Sequence, residues 1–153
     1  MRFPPAFSVV IALFLGLGPV HGGDTAKDWH KLKGNWQAVE ILTLDGRAVS
    51  ADEVKAVKLT FAGADRMIFI AGKNIGKQEY SVKLDASKKP NAIDLKALDG
   101  ESKGDDLLGI YQLDGDTLKL CLGSDPKTNE RPSRFTSEVG SKNFLYTYKR
   151  AKP

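Results

Sequence analysis

From Val57 onward the chain alternates apolar and polar residues with a period of two. Val57, Leu59 and Phe61 alternate with Lys58 and Thr60; Tyr80, Val82 and Leu84 alternate with Ser81 and Lys83; Leu118, Leu120 and Leu122 alternate with Lys119 and Cys121. Each stretch predicts a strand with one buried face. Ile93 and Leu95 alternate in the same way, and Phe144, Tyr146 and Tyr148 share a face that Arg150 continues. Met67 to Ile70 is apolar on both faces, which predicts a strand covered on both sides. Asp114-Gly115-Asp116 separates two such stretches and is a tight hairpin signal. Two short helices complete the pattern. One runs from Thr25 to Lys33, with Asp24 as its N-cap and Gly34 at its end; the other follows the capping-box spacing of Ser50 and Glu53. With no long amphipathic helix and no repeat, the expectation is an all-β domain. Its simplest form is an up-and-down antiparallel barrel of about eight to ten strands with one or two short helices.

The first residues need a separate account. Arg2 precedes an apolar run from Phe7 to Leu17, too short to span a bilayer of about 30 Å, and Gly18, Pro19, Val20 and Gly22 follow. This predicts a signal peptide over 1–22, a single domain over 23–153, and a periplasmic or extracellular location with no membrane span after cleavage. About 130 residues suffice for one core. The whole chain carries a formal charge of +4; the first segment holds only Arg2 among its charged residues, so the remainder carries +3. Basic and acidic residues are interspersed, and no stripe is fit to track a phosphate backbone, so a nucleic-acid partner is not expected. The single Cys121 excludes an intrachain disulfide and reads as a small buried residue.

In an up-and-down barrel, alternate connections lie at one end. Residues 45–55, 71–74, 99–106 and 123–132 would form a mouth, opposite a base that holds Trp36. The chemistry available there is sparse. His30 is the one histidine after the first segment and has no partner in the sequence to make it a base or ligand. Asp99, Glu101, Asp105 and Asp106 crowd one loop but read as turn residues, so no metal site and no cofactor is expected. The most promising segment is Arg131-Pro132-Ser133-Arg134-Phe135. Its guanidinium groups could hold an anion bidentately, with Phe135 closing on an apolar tail over a wall of Tyr80, Val82, Leu118 and Leu120. No acid, base and nucleophile set is visible, so no catalytic residue is named.

Gly34-x-Trp36 at the start and an arginine, Arg150, at the end of the last strand resemble the structural signature of the lipocalin superfamily, in which the arginine packs on the tryptophan at the closed end. The superfamily's Thr-Asp-Tyr motif is absent. More specific is the set Leu32-x-Gly34-x-Trp36, Lys89-Pro90-x-x-Ile93-Asp94-Leu95, Gly109-Ile110-Tyr111 and Arg131-Pro132-x-x-Phe135. This set resembles a family of uncharacterised exported domains abundant in planctomycete bacteria. The resemblance implies a lipocalin-like barrel, with Gly34, Trp36 and Arg150 structural, and implies no established activity. The expected function is therefore non-catalytic: an exported protein that holds a small hydrophobic or anionic amphipathic molecule in its barrel. The alternative is an interaction module for an envelope protein, as scaffold or protease inhibitor; an enzyme of unknown class is third.

Overall fold

A computed structural model describes residues 25–72 and 76–153; the expected signal peptide lies outside them. The order is α1 (Thr25–Leu32), β1 (Gly34–Leu42), α2 (Ala51–Lys55), β2 (Val57–Ala62), β3 (Arg66–Ala71), β4 (Gly76–Asp85), β5 (Asn91–Ala97), β6 (Asp106–Asp114), β7 (Thr117–Gly123) and β8 (Asn143–Arg150). The eight strands form a closed antiparallel barrel in which each pairs with its neighbours in sequence and β8 returns to β1. Closure leaves no exposed sheet edge. Ser133 to Ser137 adds no ninth strand, so β8 runs toward the base and Arg150 arrives there.

The pleat carries out what the period-two pattern predicts. Trp36, Leu59, Phe61, Met67, Leu95, Leu118, Leu120 and Tyr148 are all buried in one core. In β3 the outward residues depart from expectation: Ile70 is 38% exposed and pairs between Lys58 and Lys77, so this strand is covered on its inner side only. The hydrophobic run reflects the β preference of isoleucine on a surface flanked by lysine stems. On the opposite wall the outward-facing Ala92, Ile110 and Cys121 are buried, because residues 124–142 fold across them. Arg131 anchors that strap. One nitrogen donates to the carbonyls of Ile93 (3.2 Å) and Gly109 (2.8 Å), the other to Asp94 Oδ1 (2.6 Å). Cys121 Sγ lies 3.6 Å from the Thr136 carbonyl oxygen, and burial raises its pKa, which leaves it a poor nucleophile.

The base is closed by α1. Leu32 is fully buried, and Trp29 meets Phe61 edge to face at 5.8 Å while its indole N–H donates to the Gly63 carbonyl. Thr25 Oγ1 accepts from the Ala86 amide in the β4–β5 turn, and Asp28 accepts from the Tyr111 hydroxyl at 2.7 Å. Trp36 and Arg150 are cross-strand partners, so the pleat itself sets the guanidinium over the indole, 4.3 Å from its centroid. The indole N–H donates to the Leu32 carbonyl, and Arg150 donates to the carbonyls of Lys31 and Lys33 at the C-terminus of α1 and to Asp116. A cation at that helix end is also favoured by the helix dipole. Gly34 lies beneath the guanidinium at φ 113°, a conformation that glycine alone adopts without strain.

Candidate functional site

The mouth is built from the upper halves of the strands. α2 forms as expected, with Ser50 Oγ accepting from the Glu53 amide. It packs beside β1 and β2, at the side of the opening. Between it and the barrel lies a cleft of about 770 Å³, lined by Ile41, Val49, Val57, Phe69, Ala71, Phe144 and Tyr146, with Thr43, Asp45, Arg47, Ser50 and Glu53 on its polar side. Arg47 and Asp45 pair at 3.0 Å in the open, and the Thr43 hydroxyl, first, together with that arginine, keeps the Asp45 carboxyl below its ordinary pKa.

Beneath the cleft is an interior cavity of about 150 Å³. Its wall includes Leu59, Met67, Phe69, Tyr80, Leu95, Leu107, Leu120, Phe144, Tyr146 and Tyr148. Phe69, Phe144 and Tyr146 border both spaces. They belong to one aromatic array. Tyr146 stacks on Tyr148 at 5.9 Å and 14°, lies beside Phe144 at 6.2 Å, and meets Phe69 edge-on at 6.2 Å. Alternation along β8 creates this array, since Phe144, Tyr146 and Tyr148 all point inward. Desolvation pushes the Tyr146 phenol up to about 12 and that of Tyr148 well above its ordinary value; Tyr80 is raised by burial and then by Asp99. All three phenols are neutral hydrogen-bonding groups at any physiological pH.

The residues singled out from the sequence divide three ways. Tyr80 and Leu120 do line the inner cavity. Val82 and Leu118 lie in the buried core but border neither space. Arg131, Arg134 and Phe135 are on the strap and border neither space either: Arg131 holds Asp94 and two backbone carbonyls, and Arg134 is exposed. The outward direction of Asp94, set by the alternation with Ile93 and Leu95, draws Arg131 away from the mouth. Asp99 accepts from Gln78 Nε2 and the Glu79 amide, Asp106 pairs with Lys96, and no metal-binding group of three or more His, Cys, Asp or Glu residues forms among the described residues. His30 is exposed on α1 at the base. The aromatic residues of β8 and Phe69 went unselected, although three aromatics on one strand face were visible in the sequence.

No family model, no curated protein and no solved structure matches this chain.

Proposed function

We propose that this chain is an exported, non-catalytic binding protein that receives a small amphipathic or hydrophobic molecule at the mouth of its barrel. The observation that carries this reading is the pair of adjoining spaces walled by Phe69, Phe144 and Tyr146. A cleft of several hundred cubic ångströms with apolar walls and a few polar groups on one side has the dimensions and lining of a small-molecule site. Export rests on the N-terminal segment. Membership of the planctomycete domain family is part of the same proposal, and the motifs behind it have structural tasks here: Arg131 anchors the strap, Tyr111 meets Asp28, and Trp36 carries Arg150.

The test is titration with the neutral fluorescent probe N-phenyl-1-naphthylamine. We expect saturable binding that Val49→Trp, which fills the cleft, reduces at least tenfold while the circular dichroism of the barrel is kept. Absence of binding by the wild-type protein, or equal binding by the variant, overturns the reading. An interaction module is favoured instead by one observation: Val139 and Leu44 are exposed on adjoining rim loops, held together where the Ser137 hydroxyl donates to the Thr43 carbonyl. Loss of probe binding would move that reading to first place.

A further inference from the structure

The inner cavity has a chemical character of its own. It is bordered by three tyrosines, Tyr80, Tyr146 and Tyr148, and Tyr148 is only 1% exposed. Among the described residues none of these three phenol hydroxyls has a hydrogen-bond partner, and no buried side-chain oxygen is sealed off without one. Unpaired and not sealed off, the hydroxyls keep some exposed surface, and all three tyrosines border the cavity. A buried tyrosine ordinarily places its hydroxyl against a partner, as Tyr111 does with Asp28 in this same barrel. Three left unpaired around one small space constitute a polar site waiting for an acceptor or donor.

Size and charge narrow what enters. A cavity near 150 Å³ accommodates benzene and little more, so an extended acyl chain does not fit within it. Among the described residues no Lys, Arg, His, Asp or Glu borders the cavity. A carboxylate or ammonium there would lose its hydration with no counter-charge to replace it, at several kcal/mol. A neutral hydroxyl or carbonyl oxygen would instead exchange water for protonated phenols that can both donate and accept. Because Phe69, Phe144 and Tyr146 border both spaces, a molecule seated below can extend into the outer cleft toward Ser50 and Glu53.

We propose that the inner cavity binds the neutral, oxygen-bearing single-ring end of the ligand, hydrogen-bonded by Tyr80, Tyr146 and Tyr148. This rests on the reading of the mouth as a ligand site and specifies its deeper half. Its polar selectivity runs against the anionic amphiphile that the arginines of the strap suggested.

Phenol and toluene are a matched pair for the test, alike in shape and differing by hydroxyl against methyl. Met67 borders the cavity, and Met1 is the only other methionine, so a 13C-labelled methionine methyl reports occupancy at the site by NMR. We expect phenol to shift the Met67 methyl with at least tenfold higher affinity than toluene. Tyr148→Phe and Tyr146→Phe should each weaken phenol binding several-fold and leave toluene unchanged, since only the hydroxyl is removed. Equal or tighter binding of toluene overturns the proposal, as does an unaltered phenol preference in both variants. If neither probe moves Met67 while N-phenyl-1-naphthylamine still binds the cleft, the cavity holds water only: the proposal fails and the broader reading stands. If the naphthylamine fails as well, both fail.

Discussion

The two ends of this barrel are made from the same kinds of residue and treated in opposite ways. At the base four large polar side chains are engaged: Trp36 with Leu32, Trp29 with Gly63, Tyr111 with Asp28, and Arg150 with three acceptors and an indole face. At the mouth three tyrosines border a cavity, and none of their hydroxyls has a partner among the described residues. The difference comes from coverage. The eight-residue α1 lies across the base, whereas the five-residue α2 stands at the side of the mouth. Leaving about 150 Å³ unfilled forgoes on the order of 4 kcal/mol of packing, at roughly 24 cal/mol per Å³. The lesson is a division of labour: stability is concentrated at one end, and vacancy is tolerated at the other.

The largest expected effect is at the base. Trp36→Ala should remove about 3 to 5 kcal/mol of stability, measured by urea denaturation, whereas Phe144→Ala, on a half-buried side chain, should remove clearly less and act on probe binding instead. Equal losses at the two positions would break the comparison.

Alkaline pH probes both ends together. Burial raises the pKa of Tyr111, Tyr146 and Tyr148, with Asp28 contributing at Tyr111. The folded chain thus keeps these protons above the pH near 10 at which an unfolded chain releases them. Their contribution is whole below about pH 10 and is withdrawn as pH rises through the elevated values, by about 1.4 kcal/mol per unit for each phenol. Phenolate absorbance should rise with cooperative unfolding. An ordinary titration near pH 10 in a still-folded protein would show that the phenols are wet.

Tyr111→Phe sharpens the contrast further. It strips Asp28 of its 2.7 Å donor and leaves the carboxylate with Asn91 at 3.4 Å, so a loss of about 2 kcal/mol in thermal or urea melts is expected. Tyr148→Phe, whose hydroxyl has no partner among the described residues, should cost next to nothing. A last effect has the opposite sign. Leu107→Phe should partly fill the inner cavity and raise stability by up to about 1 kcal/mol while abolishing the Met67 response to phenol. A stabilised variant that still binds phenol would separate the cavity from the site.

Much of the base was legible in the sequence, and little of the mouth. Alternation located the strands, Asp114-Gly115-Asp116 marked a hairpin, and Trp36 with Arg150 framed the closed end because cross-strand pairing makes their contact a local matter once the register is set. The interior tyrosines could not be told from core by the same rule. Tyr146 and Tyr148 obey the alternation that any packed residue obeys, and whether a space remains between them and Tyr80 depends on side-chain volumes from seven different strands. The protein partners of Arg131 were illegible for a related reason. A guanidinium suits a carboxylate of the protein as well as one from a ligand, and only the three-dimensional path of the strap shows that Asp94 is within reach.

The anchoring of α1 also fixes which way the molecule faces. Thr25 meets the β4–β5 turn, and the Ala151 amide, just beyond β8, donates to the Asn35 carbonyl at the start of β1, so both ends of the described chain depart from the closed end. Eight residues of tilted strand at about 3.3 Å each separate that point from the opening by roughly 20 Å. A tether leading from Thr25 or from Ala151 would start at the closed end, so a surface coupled through either point would leave the mouth and the aromatic cavity behind it unobstructed.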